Sequence, residues 1–123
     1  MIGMRLYRPV GAAELALIEQ ADWARFPDRL PEQPIFYPVL EFGYAEQIAR
    51  DWNSKHEPLA VGYVLEFELA DDVASRYPVQ TAGSAGRHTE LWVPAEELDS
   101  FNAAIEGPIR LIATYRSGGR VED

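Results

Sequence analysis

The sequence predicts an α+β fold with a mainly antiparallel sheet, and three observations support this class. Alternating polar and apolar residues are typical of strands, as in the stretch AVGYVLEFELA. Apolar residues three or four positions apart are typical of helices, as in AAELALIEQADW. Short strands and short helices are mixed without the regular βαβ order of a parallel sheet. The chain of 123 residues is long enough for one such domain and too short for two.

The first half of the chain predicts a strand, a helix, a long loop, a second strand and a second helix. The strand MRLYRPV is ended by Pro9 and Gly11, and the helix AAELALIEQADW follows it. The segment RFPDRLPEQP is predicted to be an extended loop, because each of its three prolines fixes φ and lacks a backbone donor. The strand IFYPVL and the helix YAEQIARDWN come next.

The second half begins with the clearest strand, AVGYVLEFELA, whose alternation assigns side chains to two faces. One face carries Glu66 and Glu68, and the other carries the apolar residues Val61, Tyr63, Leu65, Phe67 and Leu69. A short helical turn at DDVASRY, a glycine- and serine-rich loop at TAGSAGRH and a strand at ELWVP follow. The helix PAEELDSFNAAI and the strand GPIRLIATY complete the fold. We therefore expect a single domain over residues 1–115 and a flexible tail over residues 116–123.

Composition and charge argue against several classes of protein. The formal net charge of −9 disfavours binding to nucleic acids or to anionic membranes, since both require a basic surface. The chain has no cysteine, which excludes disulfides and thiolate metal sites. No apolar run approaches the roughly 18 residues that span a bilayer, and the start MIGMRLYRPVG lacks the pattern of a signal peptide. A cytoplasmic protein is the resulting expectation.

The sequence contains no standard nucleotide-binding or metal-binding motif. It has neither GxGxxG nor GxxxxGK[ST], and the glycines of TAGSAG precede a strand rather than a helix. The two histidines, His56 and His88, lie far apart, so we expect no metal site.

The residues that could carry chemistry are polar side chains at the ends of strands and in the long loop. Arg8 ends the first strand, Tyr37 lies in the second, and Glu90 begins a later strand, where Val, Thr or Tyr would be usual. In the proline-rich loop, Arg29 and Gln33 are polar enough to face a ligand, and long loops of this kind often have a function.

At these positions the sequence resembles ADP-ribosyltransferases. LYR resembles their strand-end Arg or His, IFYPVLEFGYAEQIARDW resembles their central strand and its following helix, and ELWVP resembles their strand that opens with Glu. Nearly the whole chain, from LYRPVG through RFPDRLPEQPIFYPVL to FNAAIEGPI, also resembles a group of short bacterial proteins labelled ADP-ribosylation or J-crystallin-like. The resemblance implies an ADP-ribosyltransferase-like split sheet, NAD⁺ as the substrate and no metal cofactor.

The resemblance also implies a role for each residue. Glu90 would be catalytic and would stabilise the positive charge that develops on the ribose. Arg8 would hold phosphate or ribose, and Tyr37 would stack on the nicotinamide. Apart from the resemblance, Arg29 and Gln33 of the loop and His88 beside Glu90 are predicted to be further NAD-binding residues. Because His88 stands where arginine-modifying transferases carry a second Glu, hydrolysis of NAD⁺ or transfer to another protein or small-molecule acceptor is the more plausible outcome.

Each of these residues also has a purely structural interpretation. Glu90 could be an exposed strand-end acid paired with Arg87, Arg8 a surface charge beside a turn, and Tyr37 part of the core. The whole domain could be a non-catalytic nucleotide-binding or protein-interaction module on the same fold. Transfer of a 2′-phosphate from RNA to NAD⁺ is a further alternative, although the lack of a basic stripe counts against it.

Overall fold

A computed structural model of the chain describes residues 3–56, 60–81, 89–116 and 119–121. The strands are β1 (Met4–Val10), β2 (Ile35–Phe36), β3 (Val61–Leu69), β4 (Val79–Thr81), β5 (Thr89–Leu91), β6 (Val93–Pro94), β7 (Ile105–Arg116) and β8 (Gly119–Arg120). The helices are α1 (Ala12–Gln20), α2 (Phe42–Ile48), α3 (Ser54–His56), α4 (Asp71–Ala74) and α5 (Leu98–Ala103), with a π-helical turn at Ala49–Asn53 and a 3₁₀ turn at Ala95–Glu97. The predicted α+β class with mainly antiparallel strands is confirmed.

The central sheet has four antiparallel strands in the order β1-β3-β7-β8. Two short antiparallel pairs, β2 with β6 and β4 with β5, lie beside it. Val39 connects the central sheet to the β4–β5 pair, because it forms one antiparallel bridge with Tyr7 of β1 and another with Glu90 of β5. The strand IFYPVL is therefore shorter than predicted, and its last part acts as the link between two sheets.

Apolar clusters cover β3 on both faces. The larger cluster contains Leu65 and a set of touching rings that includes Phe26, Phe36, Phe67 and Phe101. The smaller cluster contains Val39, Ala45, Ala49, Val64, Ala113 and Tyr115. By alternation, Val64 shares its face with Glu66 and Glu68, so only the later part of that face is polar.

The charged end of this face is neutralised by neighbouring strands. Glu66 accepts from Arg110 at 2.8 Å, and Glu68 accepts from Arg5 at 3.3 Å. The two carboxylates that the pattern placed opposite the apolar face are therefore partly buried ion-pair partners.

The predicted helices differ from the structure at their ends. Helix α1 stops at Gln20, three residues early, because Asp22 and Trp23 adopt left-handed backbone angles with φ of 57° and 61°. The second helix begins at Phe42 and changes into the π-helical turn after Ile48. The helix predicted from PAEELDSFNAAI begins as the 3₁₀ turn and continues as α5.

The π-helical turn lies directly on β3 at Gly62. A Cβ atom at this position would collide with the carbonyl oxygen of Ala49 and lie 2.8 Å from the Cβ of Asn53. Only glycine allows so close an approach, which sets the distance between the turn and the sheet.

The proline-rich loop contains neither helix nor strand, as predicted, and the amide of Asn102 holds one end of it. The backbone N–H of Phe26 donates to Oδ1 of Asn102 at 2.9 Å, and Nδ2 of Asn102 donates to the carbonyl oxygen of Phe26 at 3.0 Å. Both backbone groups of a fully buried residue are satisfied by one side chain.

Two short strands lie where the sequence predicted loop or tail. Val79–Thr81 forms β4, and the rest of the TAGSAGRH loop, residues 82–88, lies outside the described residues. Gly119–Arg120 pairs with the end of β7, so part of the segment predicted as a tail is a strand. Within the described ranges, no helix is long and apolar enough to cross a membrane.

Candidate functional site

The link at Val39 brings the first strand and the Glu90 strand to the two sides of one segment. Val39 and Tyr7 exchange two backbone hydrogen bonds of 2.8 Å. On the other side, the N–H of Leu91 donates to the Pro38 carbonyl oxygen at 2.9 Å. Arg8 and Glu90, which are distant in sequence, therefore lie near the same segment.

A cleft of about 400 Å³ lies at this link. The structure places the three strand residues selected from the sequence, Arg8, Tyr37 and Glu90, on its wall. The other residues of the wall are Pro9, Val39, Ile48, Asn53 and Trp92. We call this space the Glu90 cleft.

Glu90 is a buried carboxylate, with only 8% of its surface exposed, so it is not the exposed strand-end acid of the structural interpretation. Tyr44 Oη donates to its Oε2 at 3.2 Å, and Trp92 Nε1 donates to its Oε1 at 2.8 Å. No Lys or Arg of the described ranges lies within ion-pair distance of it; Arg87 falls outside those ranges. Both oxygens of Glu90 are therefore held by neutral donors, and neither donor carries a positive charge that would offset that of a carboxylate.

The surroundings of the Tyr44 hydroxyl, including Glu90, change its pKa. Burial, followed by the charge and the hydrogen bond of Glu90, raises the pKa of Tyr44 above its ordinary value. The phenol therefore remains a protonated donor throughout the physiological pH range.

Two exposed aromatic rings stand beside the carboxylate. Tyr37 is 40% exposed and Trp92 is 47% exposed, and their ring centroids are 6.3 Å apart at an interplanar angle of 86°. Tyr37 is therefore not a core residue, and the structural interpretation for it is wrong. The pair gives the Glu90 cleft an aromatic wall against which a planar group can pack.

Arg8 is already engaged by another residue of the chain. Its Nε and Nη2 donate to the two carboxylate oxygens of Glu14 at 2.9 and 3.0 Å, and its guanidinium carbon lies 4.7 Å from the centre of the Phe36 ring. Its Nη1 makes only a 3.5 Å contact with the Tyr37 carbonyl oxygen. The fork expected to hold phosphate is occupied by Glu14.

Arg29 and Gln33 line an adjoining cleft of about 390 Å³, which we call the loop cleft. The two clefts share Arg8, Pro9 and Asn53. Gln33 is exposed, and its Oε1 accepts from the backbone N–H of Leu30 at 3.3 Å, so it also stabilises the loop. His88, the remaining residue selected from the sequence, lies outside the described residues.

Searches with protein-family models, curated proteins and solved structures find no match to this chain. The described residues contain no group of three or more His, Asp or Glu that could hold a metal ion. What the cleft can do therefore has to be judged from its own residues.

Sequence reasoning missed three residues that define the site. Trp92 could have been found, because strand alternation puts it on the same face as Glu90, two positions earlier. Tyr44 and Glu14 gave no such signal, since their contacts to Glu90 and Arg8 depend on how separate elements pack.

Proposed function

We propose that this chain is an ADP-ribosyltransferase-like enzyme that cleaves the nicotinamide–ribose bond of NAD⁺ in the Glu90 cleft. The observation that carries the proposal is the buried carboxylate of Glu90, held by Tyr44 and Trp92 at the wall of a cleft with exposed aromatic rings. The resemblance of LYR, IFYPVL and ELWVP to transferase motifs supports the choice of substrate.

The chemistry requires a negative group close to the ribose. When the bond between ribose C1′ and the nicotinamide nitrogen breaks, its electron pair leaves with nicotinamide, which becomes neutral. Positive charge then develops on the ribose, as in glycoside hydrolysis. A carboxylate already fixed in place stabilises that charge with little reorganisation, which is the main requirement for electrostatic catalysis.

The aromatic wall suits the leaving group. Nicotinamide is planar, and the rings of Tyr37 and Trp92 are exposed on the same cleft as Glu90. Packing of the nicotinamide against one of these rings would place its glycosidic bond beside the carboxylate.

The finer fold assignment belongs to the same proposal. The bridges of Val39 link the four-stranded sheet to the β4–β5 pair, and we propose that this is the split sheet of ADP-ribosyltransferases. In this arrangement the Glu90 cleft lies at the split.

A non-catalytic nucleotide-binding module is the second candidate, and the Arg8–Glu14 pair favours it. An arginine whose fork is closed by Glu14 contributes less to substrate binding than a free one. Under this alternative NAD⁺ or a related nucleotide binds and is not cleaved.

Incubation of the purified protein with NAD⁺, followed by chromatography of released nicotinamide, separates the two candidates. The proposed enzyme releases nicotinamide in water alone or when a protein or small-molecule acceptor is added. A Glu90→Gln preparation made in parallel controls for contaminating glycohydrolases. Saturable NAD⁺ binding without any release over hours would refute the enzyme and support the binding module.

A further inference from the structure

The loop cleft contains a partly buried arginine that no carboxylate neutralises. Arg29 donates from Nη2 to the Ile35 carbonyl oxygen at 3.0 Å, and its Nε is buried without a hydrogen-bond partner among the described residues. No Asp or Glu of the described ranges lies within 4 Å of its guanidinium nitrogens. The other described arginines that lack such a partner, Arg76, Arg116 and Arg120, are exposed.

A second cation lies close to Arg29. The guanidinium carbons of Arg8 and Arg29 lie 4.7 and 5.6 Å from the centre of the same Phe36 ring. Burial first, and then the neighbouring charge of Arg8, lower the pKa of Arg29, while Glu14 opposes this effect. Both carboxylate oxygens of Glu14 accept from Arg8. The two guanidinium groups beside Phe36 therefore share one carboxylate, which is hydrogen-bonded to Arg8 and not to Arg29.

We propose that Arg29, and not Arg8, is the residue that binds phosphate oxygens of a ligand in the loop cleft. The planar fork of arginine fits phosphate oxygens, and a partly desolvated fork binds them more strongly than an exposed one. Arg8 cannot offer its fork without giving up Glu14. Arg29 holds only one backbone carbonyl, so its Nη1 and the second N–H of its Nη2 remain available to a ligand, while its Nε is buried.

The rest of the loop cleft is suited to an apolar or planar body attached to the phosphate. Leu17 and Leu30 line it with exposed side chains, and Gln33 adds an amide. Asp28 also lines it, but that carboxylate is highly exposed and pairs with Arg25 at 3.3 Å. A volume of about 390 Å³ accommodates a nucleoside.

The loop cleft and the Glu90 cleft share Arg8, Pro9 and Asn53, so one extended ligand can reach both. A dinucleotide with its nicotinamide end at Glu90 would carry its diphosphate toward Arg29. Identification of the ligand as a dinucleotide depends on the proposed function. The phosphate site at Arg29 does not.

Calorimetric titration with ADP, pyrophosphate and NAD⁺ tests the site in the wild-type protein and in Arg29→Gln. Loss of a hydrogen-bonded charge contact weakens binding by about 10- to 100-fold, and we expect this for ADP and pyrophosphate. Arg76→Gln is the matched control, because Arg76 is exposed, carries the same charge, pairs with no carboxylate of the described residues and lines neither cleft. Arg29→Lys keeps the charge but not the fork, so it should recover only part of the affinity.

The same titrations identify the source of the phosphate. Competition between ADP and NAD⁺, with both dependent on Arg29, indicates the diphosphate of the dinucleotide. Simultaneous binding indicates a separate phosphorylated ligand at Arg29. ADP affinity that is unchanged in Arg29→Gln, or reduced equally in Arg76→Gln, would overturn the site, as would a wild-type protein that binds neither ADP nor pyrophosphate.

Two controls keep these results interpretable. Melting curves of Arg29→Gln and Arg29→Lys establish that each variant is folded, and retained affinity in a folded Arg29→Gln would itself contradict the proposal. If ADP binding depends on Arg29 but no nicotinamide is released, the proposed cleavage of NAD⁺ is refuted, while the proposed phosphate site at Arg29 is supported.

Discussion

Replacing Asn102 by leucine removes the side chain that holds the proline-rich loop. The N–H and the carbonyl oxygen of Phe26 would both lose their partners, at present 2.9 and 3.0 Å away, in a residue that is fully buried. Each buried unsatisfied group costs about 1–3 kcal/mol, so Asn102→Leu should lower the free energy of unfolding by about 2–6 kcal/mol. That is a large fraction of the roughly 5–15 kcal/mol that stabilises an ordinary domain.

Urea denaturation followed by circular dichroism measures this loss as a shift of the midpoint at constant slope. Ser100→Ala provides the control, since Ser100 is an exposed position on the same helix and should change stability by less than about 0.5 kcal/mol. A loss below about 1 kcal/mol for Asn102→Leu would refute the reasoning, because it would mean that water or an alternative backbone path satisfies Phe26.

Two further predictions concern packing and pH. Gly62→Ala should destabilise the fold by about 1–3 kcal/mol through collision with Ala49, whereas Gly43→Ala, with open space around the new Cβ inside α2, should be neutral or stabilise by up to about 1 kcal/mol in thermal melts. Burial and the hydrogen bond to Glu46 raise the pKa of Tyr115 to about 12, so its stabilising effect is complete below the unfolded value of about pH 10 and is lost as the pH rises toward 12. Tyr115→Phe should therefore reduce the loss of stability in alkaline urea titrations; an identical pH dependence in the variant would contradict this.

The sequence was sufficient for the fold class and for most elements because their patterns are local. Strand β1 was predicted at its observed bounds, and β3 was predicted to within one residue at each end. Helix α1 was predicted too long because Asp22 and Trp23, neither of which is glycine, adopt left-handed angles that pattern alone does not reveal.

The candidate site was predictable only in its strand residues. Arg8, Tyr37 and Glu90 stand out as polar groups at strand ends, and the structure places them on one cleft. The state of each group depends on contacts between distant segments: Tyr44 fixes the carboxylate of Glu90, and Glu14 closes the fork of Arg8. No local pattern encodes those contacts, so the sequence pointed to Arg8 for phosphate where the geometry favours Arg29.

The most direct test of the proposed function compares NAD⁺ affinity with nicotinamide release in the wild-type protein and in Glu90→Gln. A glutamine fits the same space, because its carbonyl oxygen can accept from Trp92 while its amide nitrogen donates to the oxygen of Tyr44. Glu97→Gln is the matched control, since Glu97 also accepts from a tyrosine, Tyr77, and lines neither cleft.

If Glu90 stabilises charge that develops during bond cleavage, Glu90→Gln should slow nicotinamide release by about 10²–10³-fold, equivalent to about 3–4 kcal/mol, while NAD⁺ affinity changes only by a few-fold. Glu97→Gln should leave both quantities close to those of the wild type. Equal rates of nicotinamide release in wild type and Glu90→Gln would contradict the assignment of Glu90 as the catalytic residue.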